Sequence, residues 1–313
     1  LLERSVLTNN GKRMTGDSLF YDRNRGIGEA FQNVEFVDTI SKNMLTGDYC
    51  FYNQLTGYAF ATDKAVATDF SQGDSLFIHA DTLQLYTFHV NTDSVYREAR
   101  AYHKVRFYRT DIQGVCDSLV FSSKDSCLTL YQDPILWNGK QQLLGEEIMV
   151  YMNDSTIDWA HIQNQALSVE QLDSLNYNQV SGKDMKAYFE GGEMKQVDVD
   201  GSVRLVYFPM EKDSTLLGMN CSETSKLSMF LENRKLKKLA MSPKSNGTLY
   251  PMTQIPPAKM KLDNFAWFDY VRPLNKADIF NWRGKGAGQE LKKSTRGAAP
   301  LPNQKLFENT KKE

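Results

Sequence analysis

Four cysteines and four histidines are the only thiol and imidazole ligands in this 313-residue chain, and neither set is grouped. Cys50, Cys116, Cys127 and Cys221 show no Cys-x-x-Cys spacing, and His79, His89, His103 and His161 form no His-x-x-x-His pair. A metal site is therefore not expected. No stretch approaches the roughly 18 apolar residues that carry a helix across a bilayer. Neither sign of charge dominates, since 37 basic against 38 acidic residues leave a net charge of -1. Nucleic acid is thus given no electrostatic foothold. Catalytic signatures are missing as well. There is no Gly-x-Ser-x-Gly elbow, and Gly284-x-Gly286-x-Gly288 lacks the strand before it and the helix after it that a phosphate loop needs. We read the chain as non-enzymatic and without a cofactor. It opens on Leu1 with no initiating methionine, from which a start inside a larger precursor or at a processed end is expected.

What the chain has is a repeat. A strand-like phrase opening on an acidic residue recurs every thirty to forty residues or so: Gly16-Asp17-Ser18-Leu19-Phe20-Tyr21, Gly47-Asp48-Tyr49-Cys50-Phe51-Tyr52, Ala80-Asp81-Thr82-Leu83-Gln84-Leu85 and Cys116-Asp117-Ser118-Leu119-Val120-Phe121. Weaker copies begin at Glu147, Asp184 and, faintly, Glu223. Periods of this kind indicate stacked supersecondary units whose loops vary in length. A partner strand follows, with Ala30 and Val34 after the first phrase and Ala61 and Ala65 after the second. The third copy places Ala101 and Val105 late, which makes Phe88 to Tyr96 a loop insertion. Asp22-Arg23-Asn24-Arg25-Gly26 and Asn53-Gln54-Leu55-Thr56-Gly57 supply turn chemistry between the two strands.

Strand side chains alternate faces, so the second and fourth residues after each acid share one face. Those positions hold Leu19, Cys50, Leu83, Leu119, Met149 and Lys186, then Tyr21, Tyr52, Leu85, Phe121, Tyr151 and Tyr188. The first position is mostly polar in the clear copies, as in Ser18, Thr82 and Ser118. A slip by one residue in the last three copies would instead turn Ile148 or Met185 inward. Cys50, standing where sister repeats carry Leu, reads as a small buried hydrophobe.

The Gly-Asp-x-Leu/Cys-x-Tyr phrase with its Ala-x-x-x-Val/Ala partner resembles the OstA-like family, the lipopolysaccharide transport proteins of the LptA, LptC and LptD amino-terminal-domain type. The resemblance covers roughly residues 1–240. The later Leu249-Tyr250-Pro251-Met252, Ile255-Pro256-Pro257, Trp267 and Arg272-Pro273 look like the end of the longer members. It implies an all-β, open V-shaped jelly roll of about seven two-strand units, with lipopolysaccharide or a similar lipid held by its acyl chains inside. It also implies periplasmic location and end-to-end joining, to other OstA-like proteins or to further copies of the chain, through exposed edge strands. The groove residues would be Leu19, Tyr21, Cys50, Tyr52, Leu83, Leu85, Leu119, Phe121, Met149 and Tyr151, with Val34 and Val105 from the partner strands. The same residues also fit a closed solenoid core filled by its own side chains, which would make the chain a scaffold or adhesin-like binder of protein or glycan. A β-helix carbohydrate enzyme is a third reading.

The chain divides into a repeat region 1–240, a segment 241–283 rich in proline and aromatics, and a Gly-, Ala- and Lys-rich tail 284–313 expected to be disordered. The middle segment is expected to pin its aromatics to the last repeat as a cap, with docking of a partner as the other option.

Overall fold

The computed structural model describes residues 2–285 apart from positions 10, 41, 72, 91, 154, 155, 212, 214, 233 and 234, so nearly all of the expected disordered tail lies outside the described residues. In chain order the strands are β1 (Leu2–Asn9), β2 (Lys12–Asp22), β3 (Ile27–Asp38), β4 (Asn43–Asn53), β5 (Tyr58–Thr62), β6 (Val66–Asp69), β7 (Leu76–His79), β8 (Thr82–Phe88), β9 (Tyr96–Tyr108), β10 (Gln113–Ser122) and β11 (Cys127–Tyr131). They continue with β12 (Ile135–Asn138), β13 (Gln141–Leu144), β14 (Glu147–Asn153), β15 (Thr156–Gln163), β16 (Ala166–Gln171), β17 (Tyr177–Gly182), β18 (Asp184–Glu190), β19 (Glu193–Tyr207), β20 (Gly218–Glu232), β21 (Lys235–Ser242) and β22 (Asn246–Pro251). The only helical elements among the described residues are four single 3-10 turns. Each strand ladder is antiparallel, as between β2 and β3 or β19 and β20. The expected loop insertion joins β8 to β9 at a strand end.

Two kinds of kink fold this ribbon along its length. One is a pair of residues with left-handed φ: Gln32 and Asn33 at 57° and 52°, then Asp63 and Lys64, His103 and Lys104, Gln132 and Asp133, and Asn164 and Gln165. Asn, Asp and His visit this region at lower cost than most residues. The other is a small residue followed by an acid, at Gly16-Asp17, Gly47-Asp48, Ala80-Asp81, Cys116-Asp117 and Gly145-Glu146. The kinks are adjacent in space. Asn33 Nδ2 donates to Asp17 at 2.8 Å, Lys64 Nζ to Asp48 at 2.9 Å, and Gln165 Nε2 to Glu146 at 2.8 Å. Exposed pairs of this kind are worth only about 0–1 kcal/mol, so the recurring acid marks the fold line more than it stabilises it. The small residue before it is a packing requirement: a Cβ on Gly47 would lie 2.8 Å from the carbonyl oxygen of Thr62.

The fold line divides the sheet into two walls. Wall I carries the later half of β2, the earlier half of β3, β5, β8, β11, β14, β15, β18 and β21; wall II carries β1, β6, β7, β12, β13, β16, β17 and β22, and the long strands pass from one wall to the other. Their facing sides share one core cluster, in which Leu119, Leu130 and Ile148 of wall I join Phe107, Leu136 and Leu205 of wall II. Along wall I the hydrogen-bonded neighbours Leu19, Ala30, Cys50, Ala61, Leu83, Ala101 and Leu119 alternate leucine or cysteine with alanine. This alternation lets side chains of successive strands interdigitate.

Two of the expected inward residues face out. At the fifth copy the fold line is Gly145-Glu146, so Glu147 already belongs to the strand and the pattern shifts by one. Ile148 and Val150 are inside at 0% and 4% exposure. Met149 pairs with Thr129 and His161 on the outer face, and Tyr151 stacks there on Trp159 at 4.2 Å. The sixth copy slips likewise: Met185 is buried, while Lys186 lies outside over the Trp159 ring.

The strand pattern also runs beyond the expected boundary at 240, because β22 pairs with β20 as an edge strand of wall II and ends at Pro251. The segment that follows first packs Ile255, Met260 and Leu262 on Val206, Phe208 and Met219 beside the last strands, and its aromatics lie farther on. It is laid across the outer face of wall II, running back from β20 toward β7. Gln179 donates to Met260 O at 2.7 Å and accepts from Leu262 N–H at 2.9 Å. Gln142 donates to Ala266 O at 2.9 Å and accepts from Phe268 N–H at 2.8 Å, and Gln113 accepts from Arg272 Nε at 2.9 Å. Farther on, Arg106 donates to Ile279 O and His79 meets the Phe280 ring. Val115, Ile135, Trp137, Leu144, Leu167 and Val169 pack beneath this strap against Phe268 and Val271. Burial without a carboxylate hydrogen-bond partner lowers the Arg106 pKa to about 10. Among the described residues, β1, β21 and β22 each have one strand neighbour, and β2 beyond Ser18 is paired on its β3 side alone, which leaves four unpaired edges.

Candidate functional site

The space between the walls is the candidate site, and its character changes with depth. At the vertex, beside the fold line, Val34, Cys50, Leu83, Val105 and Leu119 are at most 5% exposed. They are core, and the Cys50 thiol is pushed up to about 12 by burial, which removes it as a nucleophile. Nearer the rim, Leu19, Tyr52, Leu85 and Phe121 are half-buried, and Tyr21 is 42% exposed at the open end of wall I. Of the twelve expected groove residues, then, five form the vertex, five line the open space and two, Met149 and Tyr151, lie outside.

The opposite lining belongs to wall II: Leu7, Phe36, Leu45, Ala67 and Ile78, all half-buried against the same core. Phe36 and Tyr52 meet across the gap with ring centroids 5.6 Å apart. These residues carry a signal in the sequence, since Met14, Leu45, Ile78, Leu143 and Val180 each stand two places before the small residue at a fold line. At the end bounded by β1 and β2 a cavity of about 310 Å³ opens between Val6, Leu7, Met14, Leu19, Phe20 and Tyr21.

The rim is polar. Lys12, Asp38, Asn43 and Asp69 continue the inward-facing positions of wall II. Lys12 reaches Asp38 at 4.0 Å and lies 5.5 Å over the Tyr52 ring. Burial raises the Tyr52 pKa, and the nearby Arg97 charge partly opposes this. No cluster of three or more metal-ligating side chains occurs among the described residues. Cys116 is fully buried beside Asp117, and its pKa is raised by desolvation. The arrangement can hold apolar matter beneath a polar rim.

This is an open antiparallel jelly roll with an apolar interior. No family model matches the chain, and no curated protein matches it. Among solved structures, it is similar to LptH, the LptA-homologous periplasmic component of the lipopolysaccharide transport device of Pseudomonas aeruginosa, at 14% identity and a TM-score of 0.32. The match covers 38% of this chain and 81% of that one.

Proposed function

We propose that the chain is a non-catalytic carrier of lipopolysaccharide or a similar lipid, an OstA-like protein that works in the periplasm and relays its cargo to neighbours. The observation that carries this reading is the half-exposed apolar lining shared by two walls, with Leu45 and Ile78 on one and Leu85 and Phe121 on the other. Each CH2 moved from water onto such a surface is worth about 0.8 kcal/mol. Acyl chains would be held by burial alone, with no covalent step. Partners would add to β1, or to the β21 and β22 edges, as further strands. Native mass spectrometry of the purified protein tests this: a copurifying lipid is expected, and a strictly lipid-free protein that also takes up none on incubation would remove the reading.

One observation favours a scaffold that binds protein or glycan on its outside. The outer face of wall I bears a cross-strand aromatic ladder, with Phe31–Tyr49, Tyr49–Phe60, Phe51–Phe60 and Tyr58–Tyr86 centroids 5.0–5.5 Å apart. Lipid-free protein that retains a glycan or protein ligand would support that alternative.

A further inference from the structure

The interior is not uniform along its length. From β2 to β11 much of its middle rows keeps contact with solvent, as at Phe36, Leu45, Leu85 and Phe121, although Met14 and Phe107 in the same rows are 4% and 3% exposed. From β13 to β19 the corresponding residues close up: Leu143, Val150, Val180 and Val197 are 7%, 4%, 6% and 4% exposed. The same strands are clamped from outside, because Gln142 on β13 and Gln179 on β17 each make two hydrogen bonds to the strap. Parting the walls there would disturb the packed interior, while the strap stiffens wall II from outside.

We propose that the interior seats the apolar chains of one amphiphile along β2–β11 only, entered sideways through the open seam, and that β13–β19 form a closed stop. The proposal rests on the carrier reading of the groove. The occupant's chemistry follows from the lining. Eight wall I strands at about 4.8 Å spacing give a floor of roughly 34 Å, long enough for extended chains. The floor is apolar and the rim carries Lys12, Asp38 and Asn43, so a molecule with a polar head and apolar tails matches both at once. The Phe36–Tyr52 pair that bridges the seam would part to admit it. The chain would then hold cargo at one end and not conduct it from end to end through a continuous trough.

The test places a photo-crosslinking side chain singly at Leu45, Leu85, Val150 and Val197 of the full chain, with purified lipopolysaccharide as the probe. Adducts at Leu45 and Leu85, and at least tenfold fewer at Val150 and Val197, are expected. Equal adducts at all four positions would overturn the stop and leave the carrier reading standing. Adducts at none would sink both. Because the two deep positions are packed, amide hydrogen exchange of the unmodified protein serves as the second measurement. Added lipopolysaccharide should slow exchange in β4 and β8 and leave β14 and β19 unchanged, and slowing in all four strands would overturn the stop.

Discussion

Gln142→Ala should free the strap. The Gln142 side chain is fully buried, its amide donating to Ala266 O at 2.9 Å and accepting from Phe268 N–H at 2.8 Å. Truncation leaves two backbone groups without their partner beneath a packed segment. Each unsatisfied buried group costs about 1–3 kcal/mol, so the local loss is about 2–6 kcal/mol before any cavity is counted. The strap can escape part of that cost by detaching, which would free the backbone beside the already exposed Lys259, Lys261 and Lys276 to enter the trypsin active site; Arg272 precedes Pro273 and is not a cleavage site. Limited proteolysis should therefore show cleavage between 259 and 276 at least tenfold faster than in the parent, with the walls remaining folded by circular dichroism. Gln142→Glu gives a signed control. Its carboxylate would face the Ala266 carbonyl, whereas the protonated acid can donate to it, so the folded-state pKa is raised above the ordinary value of about 4.3. The stabilisation is then present below that value and lost as pH rises through the raised folded pKa. Unchanged proteolysis in Gln142→Ala would refute the claim that the glutamine amides hold the strap.

Further outcomes follow from the same geometry. Ile148→Ala should cost about 2–5 kcal/mol in urea unfolding and Met149→Ala less than about 1; the reverse order would restore the register read from the acid. Gly47→Ala should destabilise by about 1–3 kcal/mol, since its Cβ would meet the Thr62 carbonyl at 2.8 Å, and a neutral result would mean that the fold line yields. Asp278 is held down to about 2 by hydrogen bonds from Arg283, so its contribution is present above the ordinary aspartate value of 3.8 and is lost as pH falls through about 2. Protection of the amides around Leu274–Arg283, taken against intrinsic exchange at each pH, should fall across that window, and Asp278→Asn should abolish the fall. Removing everything after Pro251 should uncover Trp137, Val169 and Leu144 and raise self-association in light scattering; a monodisperse truncated protein would contradict that.

The fold was legible because the kinks have chemistry of their own. Gly47-Asp48 and Cys116-Asp117 recur where the sheet must fold, and Leu19, Leu83 and Leu119 follow at strand parity. The register failed at Met149 and Tyr151 for a physical reason: the acid is a polar residue near the fold line, whereas the small residue before it is sterically required. Gly145 and Gly182 mark the line where Glu147 and Asp184 mislead by one. The wall II lining was overlooked because Leu45 and Ile78 stand before the phrase and not in it. The strap's path was not legible at all. Gln113, Gln142 and Gln179 look like ordinary polar strand residues, and their partners lie far along a chain with no periodicity to betray its direction.

The most direct test of the groove is lipopolysaccharide binding by the parent protein, Leu85→Arg and Thr82→Arg, measured side by side. Leu85 faces the interior and is half-buried, whereas Thr82, three places earlier on the same strand, faces outward. An unpaired cation among apolar side chains is costly, and at Leu85 that cost falls on bound chains. Binding by the parent, at least tenfold loss in Leu85→Arg and little change in Thr82→Arg is the predicted result; no binding by the parent, or equal binding by all three, would contradict a lipid-holding interior.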